Sequence, residues 1–300
     1  MSLERLHVDG TFLKNESGSI VQLKGISTSG IGWYPQYVNE LLFKEFKEEW
    51  KSDIIRIAMY TEEDDGYCSD GDKEFLKSVV DKGVKAAADN DMYAIVDWHI
   101  LSDNNPHINK EEAKKFFEEM VPKYVDYTNV IYEICNEPNG NEVTWQVVKE
   151  YAEEIIPIIR KYDKKAVILV GTPKWSQLVL EAEKDRITID DNLMYVLHFY
   201  AGTHKDELRE SMQKAIDKGL PIFVSEYGIV DASGNGAVNL EETEKWIALM
   251  NKNKVSYCMW NLSNRNETSA MVKPECDKIH GFEPDDLTPA GNWLKEMLTR

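Results

Sequence analysis

Ile54-Ile55-Arg56-Ile57-Ala58-Met59-Tyr60 is the stretch that decides the fold. Apart from Arg56 and the closing Tyr60 it is apolar throughout, without the alternation of a sheet that wets one face. It therefore predicts a strand buried on both sides, as parallel strands covered by helices are. Seven further runs of strand length read alike: Val21 to Ser27, Tyr93 to His99, Val130 to Asn136, Ala166 to Thr172, Leu193 to Tyr200, Ile222 to Tyr227 and Val255 to Asn261. Between them lie amphipathic patterns of helix length at Lys73 to Asp89, Lys110 to Val125, Trp145 to Lys161, Lys205 to Lys218 and Glu241 to Asn253, and Ala290 to Leu298 follows the last strand. Strand and helix alternating in this way predict βα units. Eight of them in 300 residues fit an α/β fold of the (β/α)8 TIM barrel type better than a doubly wound sheet.

Within this frame Gly83 is a mild cost to its helix, and Pro122 and Pro157 are expected to kink or end theirs. Ahead of the first barrel strand, Leu6 to Leu13 and Ile20 to Leu23 flank turn-forming residues, with Asp9-Gly10 the sharpest turn signal. A short N-terminal β-hairpin, about residues 5–23, is expected to cap the barrel bottom. With no linker, repeat or low-complexity tract to divide it, the chain reads as a single domain over 1–300.

Composition narrows the partners. With 53 acidic against 35 basic residues the formal charge is -18, which repels phosphate backbones and anionic lipid surfaces, so no nucleic acid or membrane partner is expected. No apolar run approaches a membrane span, and Met1-Ser2-Leu3-Glu4-Arg5 has no apolar signal core, so a mature or trimmed chain is expected. Cys68, Cys135, Cys258 and Cys276 are too scattered for a disulfide framework, and Cys135 and Cys258 read as core residues within strands.

Active sites of such barrels are built at the C-terminal ends of the strands, and here those positions are polar and aromatic. They offer Ser27, Thr28, Ser29 and Trp33, then Arg56 and Tyr60, Asp97-Trp98-His99, Asn136-Glu137, Trp175, His198 and Tyr200, Glu226, and Trp260-Asn261. Glu137 and Glu226 each end an apolar run, and a pair of carboxyls at about 5 Å is what retaining glycoside hydrolysis uses. Glu137, with the amide of Asn136 beside it to bind a sugar 2-hydroxyl, suits the acid/base. Glu226 suits the nucleophile, kept ionised and oriented by Arg56 and Tyr200. Strands four and seven are taken to lie across the barrel from each other.

A metal barrel would need three or more clustered ligands. Asp97 and His99 find no such company, the other histidines (His7, His107, His198, His204 and His280) being scattered, so no metal is expected. His99 and His198 read instead as partners of the sugar or of Glu226 and Tyr200. Sugar rings stack their C–H faces on aromatics, and Trp33, Tyr60, Trp175 and Trp260 would form such platforms, whereas Trp50, Trp246 and Trp293, read as helical, belong to the core.

These residues resemble glycoside hydrolase family 5, in particular its bacterial endo-β-1,4-glucanases. The likeness runs through Leu23-Lys24-Gly25-Ile26-Ser27-Thr28, Ile55-Arg56, Asp97-Trp98-His99, Asn136-Glu137-Pro138, His198-Phe199-Tyr200, Val224-Ser225-Glu226-Tyr227-Gly228 and Trp260-Asn261-Leu262-Ser263. The resemblance implies a retaining enzyme with Glu137 as acid/base, Glu226 as nucleophile and no cofactor. It further implies that Arg56, His99, Asn136, His198, Tyr200 and Trp260 line the cleaved-bond subsite, with Trp33 on the non-reducing side and Trp175 on the reducing side. Two departures stand out. Ser29 replaces a histidine of the family's usual Ser-Thr-His-Gly, and Arg265, in Asn264-Arg265-Asn266-Glu267, stands where a lysine is common; Arg265 and Glu267 join the expected substrate-binding set. The expected partner is a polysaccharide β-glucan, cut outside the cell by a monomeric enzyme. Mannanase, xyloglucanase or lichenase specificity on the same machinery is the nearest alternative, and a non-catalytic glycan-binding barrel, which would lack one carboxylate, a more distant one.

Overall fold

The chain opens with an antiparallel hairpin, β1 (His7–Asp9) and β2 (Phe12–Lys14), turned through Gly10 at φ +62. Eight parallel strands follow and close into a barrel: β3 (Lys24–Thr28), β4 (Ile54–Tyr60), β5 (Tyr93–His99), β6 (Val130–Glu133), β7 (Ile168–Val170), β8 (Leu193–Tyr200), β9 (Ile222–Gly228) and β10 (Tyr257–Leu262), which pairs back onto β3. The computed structural model describes residues 3–300; Met1 and Ser2, which the expected domain span and the reading of the N-terminal sequence both include, lie outside the described residues.

Around the barrel run α1 (Glu40–Glu48), α2 (Lys73–Asp89), α3 (Lys110–Met120), α4 (Trp145–Tyr162), the single turn α5 (Pro173–Ser176), α6 (Val179–Lys184), α7 (Asp206–Asp217), α8 (Leu240–Asn253) and α9 (Pro289–Thr299). Strand residues alternate between two cores, as a barrel requires. In β4, Ile55, Ile57 and Met59 pack with the helices. Ile54 instead enters the barrel bottom with Leu23, Ile95, Ile131, Leu169, Val196, Phe223 and Cys258, where Leu6 and Leu13 from the hairpin segment close the layer. The expected cap is therefore in place.

Several boundaries differ from those the sequence implies. Val21 donates to the Leu13 carbonyl and Lys14 bridges Ile20, so the apolar run from Val21 begins on the hairpin and the barrel strand starts at Lys24. The strand at Val130 is regular only to Glu133, although the Ile134 and Asn136 amides still donate to the Leu169 and Trp98 carbonyls, and that at Ala166 is reduced to Ile168–Val170. Helix α1 escapes the periodicity count, yet Asn39 caps it by accepting from the Leu42 amide and its Leu42, Phe43 and Phe46 are buried. Trp50 lies just beyond its end, fully buried.

Pro157 does not end α4: it lies on the exposed face, where water can serve the carbonyl it leaves unbonded. Pro122 instead opens a 3-10 turn after α3 has ended at Met120. Gly83 serves packing, since a Cβ there would stand 2.6 Å from Ile57 Cδ1, so the glycine lets α2 sit close on β4. Among the described residues no helix is long and apolar enough to cross a membrane.

Candidate active site

Above the apolar floor of the barrel lies a charged layer centred on Arg56, whose side chain is fully buried. Its Nε donates to Glu133 Oε2 at 2.9 Å and its Nη1 to Glu226 Oε2 at 2.9 Å. Its Nη2 reaches Glu133 Oε1 at 3.1 Å, Asn136 Oδ1 at 2.6 Å and Asp97 Oδ2 at 3.0 Å. One guanidinium thus serves three buried carboxyls from β5, β6 and β9, a bridging role for which its planar fork of donors is suited and an ammonium is not.

Burial pushes Asp97 and Glu133 up to about 7 against the pull of Arg56. The geometry shows which of the two has room for a proton. Asp97 Oδ1 has no hydrogen-bond partner, while both oxygens of Glu133 face donors, from Arg56 and from Ser225 Oγ at 2.8 Å.

That Ser225 and Glu226 both enter the barrel is the work of a β-bulge. Two steps along β8, from Val196 to His198, match three along β9, from Phe223 to Glu226, and the register slips likewise against β10. The extra residue rotates the strand so that consecutive side chains share one face. Glu226 then accepts from Arg56 and, through Oε1, from the Tyr200 hydroxyl at 2.7 Å. A Cβ at position 228 would stand 2.3 Å from the Tyr200 ring, so Gly228 is what lets that ring lie against the strand.

Glu137 follows the end of β6, 12% exposed at the side chain, and meets His198 Nδ1 through Oε1 at 2.9 Å. Glu137, His198 and Glu226 each bring a donor atom within 4.8 Å of the others. Burial, and then the charge of Glu226, hold the Glu137 carboxyl well above the usual carboxylate range. Burial also presses His198 well below its usual value, so the ring is neutral, and brings His99 down to about 3. Two carboxyls this close suit attack and protonation on one sugar carbon, since an inverting pair stands about 6.5–9.5 Å apart to admit a water. The carboxyls open into a cleft of about 740 Å3 on the C-terminal face, lined by Tyr60, His99, Trp175, His198, Tyr200, Trp260, Arg265 and Glu267 among others.

The model of the cellulase family, glycosyl hydrolase family 5, matches residues 14–266. The chain belongs to this family. It is 48% identical over 299 residues to endoglucanase A of Butyrivibrio fibrisolvens, covering 99% of this chain and 69% of that protein. It is 45% identical to endoglucanase A of Evansella cellulosilytica, covering 94% of this chain and 57% of that one. The chain thus spans between about half and two thirds of these relatives' length. Among solved structures, cellulase Cel5C_n superposes with a TM-score of 0.95 at 39% identity, over 100% of this chain and 93% of that one. A variant of the Thermobifida fusca endoglucanase Cel5A catalytic domain, in complex with cellotetraose, superposes at 0.93 with 35% identity, over 99% and 97%.

In this family 5 chain the site residues read from the sequence do not all reach the cleft. Arg56 and Asn136 lie beneath it, with no exposed surface. The Asn136 amide donates to the Ile100 carbonyl at 3.0 Å while its oxygen serves Arg56, so it braces the charged layer. Both histidines line the cleft, as partners of a sugar would; of the alternative expectation, neither pairs with Glu226 or Tyr200, since His198 meets Glu137 and Ser225 and His99 Nδ1 meets Asp97 Oδ2 at 2.6 Å. Nor do the two carboxyl-bearing strands face each other directly, since β6 and β9 are separated on one side only by β7 and β8.

Trp33 packs against Tyr60 with ring centres 4.6 Å apart and planes tilted by 35°, and lines an adjoining hollow of about 560 Å3 that also touches Arg265. Ser29 lines the main cleft where the family histidine would stand, and Arg265 sits near Glu267, Nε to Oε2 3.5 Å.

Sequence reading missed Glu133 and Ser225, for which buried charge in an apolar run was the available signal for the first. It also missed the posture of Trp175. Lys174, Trp175 and Ser176 take φ of 59, 54 and 55, three consecutive left-handed residues. Such backbone costs on the order of 1–2 kcal/mol per residue. It is held by the Trp175 amide donating to Pro138 O at 3.1 Å and Ser176 Oγ donating to Asn136 O at 2.7 Å. The turn that lifts Trp175, 43% exposed, is therefore bonded to the segment carrying Glu137.

Proposed function

We propose that this chain is an endo-β-1,4-glucanase that cleaves internal bonds of cellulose or mixed-linkage β-glucan with retention, residues 1–300 acting as one catalytic domain. The observation that carries the reading is the approach of Glu137 and Glu226 within 4.8 Å at the base of an open, aromatic-lined cleft. Glu226, fixed by Arg56 and Tyr200, attacks the anomeric carbon and forms a glycosyl ester. Glu137 gives its proton to the leaving oxygen and then takes one from the water that releases the sugar. No cofactor enters this scheme. A polymer substrate places the work outside the cell, and a cleft built within one chain needs no second subunit.

The test is reducing-sugar release from carboxymethyl-cellulose, barley β-glucan, glucomannan and xyloglucan side by side, with proton NMR of the first product formed. Release from the first two with the β-anomer appearing first is the expected result. Preferential release from glucomannan or xyloglucan moves the specificity to that polymer, and an α-anomer would reject retention.

Trp175, exposed beside the cleft, is expected to hold a sugar by stacking. Trp175→Ala should raise KM for cello-oligosaccharides by about 2- to 10-fold, the worth of one aromatic contact, with kcat little changed. A KM equal to that of the unaltered enzyme would remove Trp175 from the binding surface.

A further inference from the structure

A hydrogen-bond chain leads away from the reacting groups. Glu137 Oε1 meets His198 Nδ1 at 2.9 Å, His198 Nε2 meets Ser225 Oγ at 2.9 Å, and Ser225 Oγ meets Glu133 Oε1 at 2.8 Å, every member past Glu137 being buried. Its polarity can be read from its inner end. Glu133 accepts from Arg56 on both oxygens, so it is an anion that can only accept from Ser225. Having given its one hydrogen to Glu133, the Ser225 oxygen must accept from His198 Nε2. A neutral imidazole protonated at Nε2 presents a bare lone pair at Nδ1. The neighbour of that lone pair is Glu137, which must then hold the proton.

We propose that Ser225, anchored by Glu133, fixes His198 in the tautomer that accepts from Glu137, and that Ser225 and Glu133 are thereby positioning residues for the proton of the acid/base. The proposal rests on the reading of Glu137 as acid/base. It serves both half-reactions. In the first, the proton stays on Glu137 until the leaving oxygen takes it. In the second, the carboxylate left behind faces a lone pair rather than an N–H, so it is driven to take a proton from the incoming water, which adds to the sugar as hydroxide equivalent and frees Glu226.

Other groups also act on Glu137. It meets His198 from β8 and lies close to Glu226 from β9, and it also feels the charges of Arg56 on β4, Asp97 on β5 and Glu133 at the end of β6 and interacts with the hydroxyls of Tyr60 and Tyr200. Ser225→Ala leaves all of these in place and removes the hydroxyl that accepts from Nε2–H and donates to Glu133 Oε1. His198 Nε2 is then left with Glu133 Oε1 at 3.8 Å, too far for a hydrogen bond, and with the hydrogen on Nδ1 instead the ring donates to Glu137 and favours the ionised carboxylate. The active, protonated acid is lost as pH rises through its own value, so lowering that value moves the alkaline limb of kcat/KM to lower pH, by about one unit for a hydrogen bond reversed from the neutral to the charged form.

The experiment measures kcat/KM against pH for the unaltered enzyme, Ser225→Ala and Ser225→Thr, together with the nitrogen NMR shifts of the His198 ring. Expected are an Nε2–H ring in the unaltered enzyme, an Nδ1–H ring and an acid-shifted limb in Ser225→Ala, and recovery of both in Ser225→Thr, which keeps the hydroxyl. An Nδ1–H ring in the unaltered enzyme would overturn the proposal even if the variant does not fold. So would a Ser225→Ala enzyme that is slower at every pH with its limb unmoved, the mark of a purely structural role. The ring spectrum needs no turnover, so it reports on the chain of bonds even if Glu137 were shown not to be the acid.

Discussion

Glu226→Gln is expected to lower kcat by at least about 10^4-fold, the scale on which removal of a covalent nucleophile acts. The substitution keeps the size and shape of the side chain. Its amide can still accept from Arg56 or Tyr200 through its oxygen, so the barrel and the cleft should remain as they are. What disappears is the carboxylate that forms the glycosyl ester, and no neighbour can take its place: Asp97 and Glu133 are buried beneath and bound to Arg56, and Glu137 is committed to His198. Binding of a cello-oligosaccharide should persist, measurable by calorimetry, while reducing-sugar release falls to background. Turnover within tenfold of the unaltered enzyme would remove Glu226 from the role of nucleophile.

The largest effect on stability is expected from Arg56→Met. The guanidinium holds Asp97, Glu133 and Glu226 in a buried layer beneath the cleft, and removing one partner of a buried ionic group leaves uncompensated charge at a cost of about 3–5 kcal/mol. Arg56→Lys should recover only part of this, because one ammonium cannot span three carboxyls at once.

The defect should also depend on pH, and the sign follows from a raised value. Burial pushes Asp97, whose free Oδ1 has room for a proton, up to about 7 in the fold, above its unfolded value of about 4. Its preference for the proton therefore favours the fold fully below about 4, and that contribution is lost as pH rises through about 7. Without Arg56 to offset the charge, the loss on deprotonation grows. Guanidinium unfolding of Arg56→Met should accordingly show a smaller deficit at pH 5 than at pH 8, two settings on either side of about 7. Equal deficits at both would mean that the carboxyls are not the source of the instability.

Much of this was legible in the chain. The run from Ile54 to Tyr60, apolar on both faces, could only be a strand covered on both sides, and eight such runs with helices between them leave the barrel as the natural closure. Glu137 and Glu226 were found because a carboxylate at the end of a buried strand has a definite place in such a barrel. Less legible were elements whose signal is short: α1 has only three buried apolar residues to betray it, and Pro157 marked a break that exposure to water made unnecessary.

The sequence by itself determined the barrel, its polar rim and the identity of the paired carboxylates, since these follow from periodicity and from what lies at strand ends. Tertiary structure alone decided which carboxyls share Arg56, because ion pairing in a buried layer depends on strands far apart in the chain: Arg56 and Glu226 are separated by 170 positions. It alone decided that Ser225 and Glu226 face the same way, since strand alternation sends neighbours to opposite sides until an extra residue against β8 and β10 produces the bulge. And it alone decided the left-handed turn under Trp175, a conformation that no local preference favours and that hydrogen bonds to Asn136 and Pro138 hold in place.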